Sequence, residues 1–203
     1  MKFDSVRKQL FLLLLFSLSF TLMVSFSGNS SSSPEELCRI FVLNNIDEII
    51  KDLEASKKIS SKSGTKELQR LYRNSRKHYK EIEFFIEYYS PFVAKYYING
   101  PLVNKNEIEY GPIIFEPMGF QVIEENLFTP QKKNDTVLIK QYDILVKNFN
   151  SLRDHYSTII IERSDITEAL RLEIIRIMCL TLNGYDCTIN KEATIESSHS
   201  LNS

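Results

Sequence analysis

Hydrophobic residues recur at helical spacing along most of the chain beyond residue 33. They return every three or four positions, which is the period of one face of an α-helix. The pattern holds over residues 34–55, 65–90, 117–128, 134–156 and 164–182. It therefore predicts about five helices, and Pro91 opens a short additional helix that ends before Gly100.

Residues that favour helix starts precede these periodic stretches. Ser33 is a suitable cap for the first helix, and Pro34 takes the first helical position, where a proline fits. Thr65 and Asn134 are the caps expected for the second and fourth helices. Ser164 and the acidic residues after it open the last helix. Both the hydrophobic period and the capping residues therefore predict these helices.

Three segments lack the helical period and are predicted as connections. Residues 56–64 are rich in Ser and Lys and end in Gly, which is typical of a solvated link. Residues 102–117 contain Asn, Gly and Pro residues that break any long element, so we expect an irregular surface loop. Residues 158–161 are β-branched but too few to form a sheet without a partner strand, so they are predicted as an extended link.

The last helix is apolar on nearly all of its faces. Its apolar residues include Leu170, Leu172, Ile174, Ile175 and Met178. A helix of this kind is expected at the centre of a packed structure. With no strand of adequate length, the sequence predicts an all-α fold, an antiparallel helical bundle of about five helices.

The N-terminal 27 residues have the order of a secretory signal peptide. Basic residues come first, an uncharged apolar run follows over 10–26, and a small polar stretch covers 28–33. We therefore predict a signal peptide over 1–27, cleaved before Gly28, and export to the periplasm. The alternative is an inner-membrane anchor formed by residues 10–26, whose length is at the lower limit for a spanning helix.

Length and composition fit one domain after this segment. The chain has 203 residues, 43% of them hydrophobic, which is enough for one core. We predict a polar linker over 28–33, a helical domain over 34–190 and a disordered tail over 191–203. Lys and Arg number 25 against 26 Asp and Glu, so the chain has no excess of positive charge with which to bind nucleic acid.

Three cysteines occur in a chain that is predicted to enter an oxidising compartment. They form no C-x-x-C pair, which excludes a thioredoxin-type dithiol and a zinc ribbon. Cys179 and Cys187 lie on either side of the predicted helix end and are expected to form a disulfide, leaving Cys38 as a thiol. The alternative is three buried thiols.

Titratable side chains about one helical turn apart are the first candidates for catalytic or metal-binding residues. His78 with Glu81, and Glu83 with Glu87, have the spacing of metal ligands, but solvated surface pairs are the favoured interpretation. Arg76 and other basic residues of the second helix are expected on its solvated faces. An aromatic-rich stretch over 72–97 is interpreted as core packing in preference to a ligand cradle. No Gly-x-Ser-x-Gly, phosphate-binding loop or His-Glu-x-x-His motif occurs.

Four segments together resemble a known family. They are residues 79–89, 99–101, 116–128 and 170–177. In this order they resemble the helical N-terminal region of bacterial di-haem cytochrome c peroxidase family proteins, a region that is similar to imelysin-like domains. The resemblance implies an exported helical domain that precedes a peroxidase domain. Haem would belong to that missing domain only, because this chain has no C-x-x-C-H, and no cofactor is predicted in the chain itself.

The imelysin-like motif Gly-x-His-x-x-Glu falls on Gly119, Gln121 and Glu124 in this resemblance. Gln121 replaces the histidine, and an amide is a poor ligand for a transition metal. We interpret the motif as structural, with Gly119 in the turn before a helix that Pro117 precedes, and with Gln121 and Glu124 in a buried polar network. The alternative is a metal site in which Glu124 is the candidate ligand.

The sequence therefore favours an exported, non-catalytic helical module that acts through protein contacts. The resemblance implies a di-haem peroxidase domain or another redox protein as its partner. The first alternative is an imelysin-like periplasmic metal-binding protein in iron handling, and the second is a peptidase. Contact with a membrane is expected only through an uncleaved signal.

Overall fold

The structure is a computed structural model that describes most of the chain beyond residue 31. It describes residues 32–60, 64–100, 105–107, 113–129 and 133–181, together with single residues at 189, 192, 195, 198 and 201. The described helices all belong to one compact unit, Pro34–Ser203. The predicted signal peptide, 1–27, lies outside the described residues, and so does the end predicted for the last helix, at Asn183 and Gly184.

Helices dominate the described part of the chain, which confirms the predicted all-α class. The long helices are α1 (Pro34–Ser60), α2 (Thr65–Tyr89), α4 (Phe120–Phe128), α5 (Asp135–Tyr156) and α6 (Arg163–Arg176). The short α3 (Pro91–Val93) continues as a π-helical turn over Ala94–Ile98, and α6 continues in the same way over Ile177–Thr181. Asn134 caps α5 as predicted, since its side chain accepts hydrogen bonds from the backbone N–H groups of Thr136 and Val137.

The first helix is longer than its hydrophobic period predicts. It ends at Ser60, so the predicted connection over 56–64 is wrong for its first half. Ser56 is buried and its hydroxyl donates to the Asp52 carbonyl at 2.8 Å, and Ile59 packs against the core. A serine whose hydroxyl bonds to the carbonyl four residues earlier is compatible with a helix interior. The polar composition of this stretch therefore concealed one more helical turn.

The core lies where α1, α2 and α5 face one another. The helix α1 packs against both α2 and α5. Fully buried core side chains include Ile46 and Ile49 of α1, Tyr79 and Phe85 of α2, and Leu145 and Phe149 of α5. Several aromatic rings of the 72–97 stretch belong to this core, with Phe85 meeting Tyr156 edge to face at 5.0 Å. These rings therefore pack in the core, as the sequence predicted.

The last helix is at the periphery, not at the centre. Within α6 only Ala169 and Glu173 are buried, and its main packing partner is α2. The exposed fraction is 48% for Leu170 and 50% for Ile175. The prediction of a central position is wrong because an all-round apolar helix does not show which of its faces is covered. The chain leaves a large apolar surface on this helix.

The loop predicted over 102–117 contains regular structure. Strand β1 (Lys105–Glu107) pairs with β2 (Ile113–Phe115) in an antiparallel ladder, with Lys105 opposite Phe115. The prediction of a wholly irregular loop is therefore wrong. The β-prone residues of β2 gain a partner strand that is only three residues long, which is too short for a periodicity analysis to detect.

Residues of the predicted disordered tail contact the helices. Glu192 accepts a hydrogen bond from Arg73 Nε of α2 at 2.9 Å. Just before the tail, Ile189 donates its backbone N–H to Glu124 of α4 at 3.2 Å. The described tail positions thus follow the surface of the helical unit.

Candidate functional site

A row of charged residues is buried on α2. Arg76 and Lys80 are each 1% exposed, and Glu83 is fully buried. Their spacing of four and three residues places them in one stripe along the helix. The sequence predicted the basic residues on solvated faces, which is wrong for Arg76 and Lys80. It also predicted Glu83 in a surface pair with Glu87, which is wrong because Glu83 is buried. The reason is that α6 covers part of this stripe.

Glu83 lies at the centre of an ion-pair network between α2 and α6. Lys80 Nζ donates to Glu83 Oε2 at 2.6 Å, and Arg176 Nη2 of α6 donates to Glu83 Oε1 at 2.7 Å. Arg176 also lies 3.4 Å from Glu87. Both carboxylate oxygens of Glu83 are therefore engaged by cations that are themselves largely buried. Such charge-assisted bonds fix the position of α6 on α2.

Arg76 faces the other side of the stripe, towards α4. Its Nη1 donates to Asn99 Oδ1 at 3.2 Å, and its guanidinium lies 5.4 Å from the ring centre of Phe120. The Tyr79 ring lies at a similar distance, 5.6 Å. A guanidinium beside two aromatic rings retains favourable electrostatics away from water. This arrangement positions the residues that precede α4.

Gly119 precedes α4 in a conformation that only glycine adopts readily. Its φ is +83° and its ψ is −144°, and an isolated β-bridge joins it to Asn99. Its N–H donates to Gln141 Oε1 of α5 at 2.8 Å. A Cβ at this position would lie 2.0 Å from the Ile98 carbonyl oxygen. Gly119 therefore lies in the turn at the helix start, where the sequence analysis placed it, and is required for close backbone approach.

Gln121 and Glu124, the other two motif positions, are buried on α4. Gln121 is 9% exposed and Glu124 is 1% exposed. Glu124 Oε1 accepts the Ile189 N–H, as in a structural polar contact. The polar partner expected for Gln121 in that network stays a prediction. Among the residues that the structure describes, no group of three or more His, Cys, Asp or Glu side chains is placed to hold a metal ion.

The other predicted candidates occupy the surface. His78 Nδ1 lies 2.8 Å from Asn45 Oδ1 and 3.5 Å from Glu81, and the His78 and Glu81 side chains are both partly exposed. This is the solvated pair that the sequence favoured. Cys179 is exposed and Cys187 lies outside the described residues, so their disulfide stays a prediction.

A cavity of about 480 Å³ lies where α1, α2 and α6 meet. Its walls are mostly apolar and include Phe41 of α1, Phe84 of α2 and Ile174 of α6. Leu201 of the tail also lines it. Its polar lining residues are Lys80 and Glu173, and Cys38 completes the wall. The volume is in the range of small-molecule sites, about 300–1,000 Å³.

Cys38 is a half-buried thiol on the wall of this cavity. Burial raises the pKa of Cys38, and the neighbouring Arg39 guanidinium opposes that shift only in part. A raised pKa keeps the side chain in its neutral form at physiological pH. Cys38 is therefore a mainly neutral thiol that reacts slowly, not an activated nucleophile.

Sequence reasoning missed Glu173, Arg176 and Gln141. Glu173 and Arg176 are charged residues in an otherwise apolar helix, which is the signal that could have identified them. Gln141 lies in the apolar-periodic stretch of α5, and nothing in its local sequence shows that its amide receives the Gly119 N–H.

No helix in the described part of the chain has the length and hydropathy needed to cross a membrane. No protein-family model matches the chain, and a search of curated proteins finds no match.

Proposed function

We propose that the chain is an exported, non-catalytic helical module that binds another protein through α6. The observation that carries the proposal is the outer face of α6, defined here as Leu172 and Ile175 of the helix and Met178 of the π-helical turn that continues it. These side chains are 44%, 50% and 63% exposed, and they recur every three residues on the side away from buried Ala169. Contiguous exposed apolar residues of this kind mark interaction surfaces.

The charges of α6 favour a protein partner over a lipid surface. The helix carries Arg163, Arg171 and Arg176 against Asp165, Glu168 and Glu173. An interfacial membrane helix depends on an excess of basic residues to attract anionic lipid. Glu168 and Arg171 form an exposed pair on this helix, and such paired charges are typical of the polar rim of a protein interface.

The antiparallel bundle is part of the same proposal. Lys57 pairs with Asp143, and Arg153 Nε lies 2.6 Å from Asp47 Oδ1. The late part of α1 thus meets the early part of α5, as expected for antiparallel neighbours. Periplasmic location and a redox partner, either a di-haem peroxidase domain or another redox protein, rest on the signal-like N-terminus and on the family resemblance.

Site-specific photocrosslinking in the source cells tests this proposal. A benzoylphenylalanine residue replaces Ile175 on the outer face of α6, and a matched control replaces Lys140, an exposed residue of α5. We expect an adduct of Ile175 with a haem-containing or other redox protein, identified by mass spectrometry, and no adduct at Lys140.

Ile175→Asp provides the companion measurement. Because Ile175 is half-exposed, this change is expected to remove the complex with the partner while the thermal stability of the isolated chain is retained. Equal adducts at both sites, an adduct only with a second copy of the chain, crosslinking only to lipid, or none at all would each overturn the proposal.

A further inference from the structure

We infer that the cavity between α1, α2 and α6 binds the hydrocarbon chain of one small molecule, such as a free fatty alcohol, whose polar end stays in solvent. This site is separate from the outer face of α6, so the inference goes beyond the proposed function. The apolar lining, the length of the α6 wall and the volume of the cavity support it.

Apolar side chains from three helices form the walls. Leu37 and Phe41 come from α1, Phe84 comes from α2, and Leu170 and Ile174 come from α6. Leu37, Leu170 and Ile174 are each about half-exposed, so water reaches the cavity along these side chains. A hydrocarbon chain packed against them would remove apolar surface from water on more than one wall, which is the main driving force for such binding.

The dimensions of the cavity fit one such chain. Leu170, Ile174 and Ile177 line it at intervals of three to four residues along α6 and its π-helical continuation. Seven residues of helix extend over about 10 Å, which is also the length of an extended chain of about eight carbon atoms. A protein helix is about 10–12 Å wide with its side chains, so the same length of helix would need roughly 800 Å³ or more. The cavity has about 480 Å³, which is enough for a small molecule but not for a helix.

The charged side chains of the lining are already engaged within the protein. Lys80 is 1% exposed, and its ammonium donates to Glu83 at 2.6 Å. Glu173 is buried too and has interactions of its own. Neither side chain therefore needs a ligand to balance its charge. The apolar walls determine which part of a ligand enters the cavity, and that part is the hydrocarbon chain.

Calorimetric titration of the full chain with hexanol, octanol, decanol and dodecanol tests the inference. These probes share one uncharged head group and differ only in chain length. We expect one octanol to bind per protein molecule, about tenfold more tightly than hexanol, because each buried CH₂ adds a similar increment. From decanol to dodecanol the gain should be less than about twofold, because the added carbons lie outside the cavity. An undiminished gain up to dodecanol, uptake that does not saturate, or no binding would overturn the inference.

Two variants at adjacent positions of α6 assign the binding to this cavity. Ile174 lines the cavity and Ile175 belongs to the outer face, and their exposed fractions are similar, 54% and 50%. Ile174→Asp places a charge in the apolar wall and is expected to weaken decanol binding at least about tenfold. Ile175→Asp is the matched control and should leave decanol binding unchanged. Equal losses in the two variants, or no loss in Ile174→Asp, would contradict binding in the cavity.

Protection of Cys38 provides a third measurement. Cys38 lines the cavity, so saturating decanol is expected to slow its alkylation by a maleimide several-fold, as followed by peptide mass spectrometry. If Ile174→Asp fails to fold, Leu37→Asp on the α1 wall replaces it, because Leu37 is also about half-exposed. Unchanged alkylation of Cys38 in the unaltered chain at saturation would place the ligand elsewhere and overturn the inference.

Discussion

Gly119 has a backbone conformation that residues with a side chain rarely adopt. Its combination of positive φ and strongly negative ψ falls in a region that is essentially restricted to glycine. The turn it forms brings the backbone of Ile98 against the start of α4 and directs the Gly119 N–H to Gln141. The turn at Gly119 thus positions the start of α4 against α5 and against the π-helical turn that follows α3.

Gly119→Ala is expected to lower the free energy of unfolding by about 3 kcal/mol or more. The new Cβ would have to move from a position 2.0 Å from the Ile98 oxygen, and the backbone would be strained in addition. Urea unfolding followed by circular dichroism measures the change. Gly64→Ala is the matched control, since its Cβ would meet only the flexible Ile59 side chain at 3.2 Å, and we expect a small effect there.

The motif positions show what local sequence can reveal about single residues. Pro117 and the following helical period were enough to place Gly119 in a turn. The partner of its N–H was not predictable, because Gln141 is 22 residues away and looks like any amide on a helix. Glu124 was expected in a buried polar contact, but the Ile189 backbone that it binds comes from a segment without a periodic pattern.

At the scale of elements, polar side chains join α2 and α6 at two places. Lys80, Glu83 and Arg176 join the two helices at one place. At the start of α6, Asp165 accepts hydrogen bonds from the hydroxyls of Tyr89 at 2.9 Å and Tyr88 at 3.2 Å. Hydrogen bonds therefore hold both ends of α6 against α2.

Glu83→Gln is expected to lower the free energy of unfolding by about 3–5 kcal/mol, because it leaves two buried cations without their shared carboxylate. The control is Glu67→Gln, which breaks an exposed pair with Arg70 on the same helix and should leave stability nearly unchanged. Chemical denaturation of both variants gives the comparison. Similar effects in the two would show that burial does not strengthen the network.

Asp165 gives the α2–α6 contact a dependence on pH. The hydroxyl of Tyr89, above all, holds the pKa of Asp165 below its usual value of 3.8. A carboxyl with a lowered pKa in the folded state stabilises the fold above pH 3.8, and this stability is lost as the pH falls through the folded-state pKa. Melting temperatures measured from pH 7 to pH 2 should therefore fall less steeply at the acidic end in Asp165→Asn.

Tyr89→Phe should reduce the same acidic component, because it removes the principal donor to Asp165. The two substitutions act on one contact, so their combined effect is expected to be smaller than the sum of the separate effects. Acidic slopes identical to that of the unaltered chain in both variants would show that this contact does not contribute.

Helix positions were largely predictable from the sequence, whereas the burial of α2 and α6 was not. The period of three to four residues is a local property, and it places α2, α4 and α5 within a few residues. Whether Lys80 or Leu170 meets solvent depends on which helices lie beside it. The partner of Glu83 is 93 positions away, so the burial of this carboxylate could not be inferred from the neighbours of α2 in sequence.

At the scale of the whole molecule, the end of the chain returns to the helical unit at several points. Ile189 bonds to Glu124, Glu192 pairs with Arg73, and Leu201 lines the cavity beside Cys38. Of these residues, Leu201 takes part in the surface that forms the cavity.

Deletion of residues 189–203 is expected to increase the rate of Cys38 alkylation several-fold, because Leu201 no longer covers the wall on which the thiol lies. Peptide mass spectrometry after a timed reaction with a maleimide measures it. Leu201→Ala should give part of the increase and Glu192→Gln a smaller part. An unchanged rate after deletion would show that the tail does not limit access.

The way α6 is held has a consequence for the motions of the native protein. Only two residues of α6 are buried, and Asp165 and Arg176 make its hydrogen bonds with α2. The helix can therefore separate from α2 without disrupting the core formed by α1, α2 and α5. Its amide protons are therefore expected to exchange with deuterium through a local opening of low free energy, ahead of those of α1 and α5. Such an opening would uncover Ala169, Glu173 and the cavity wall in a single event, whereas the outer face of α6 is accessible without it.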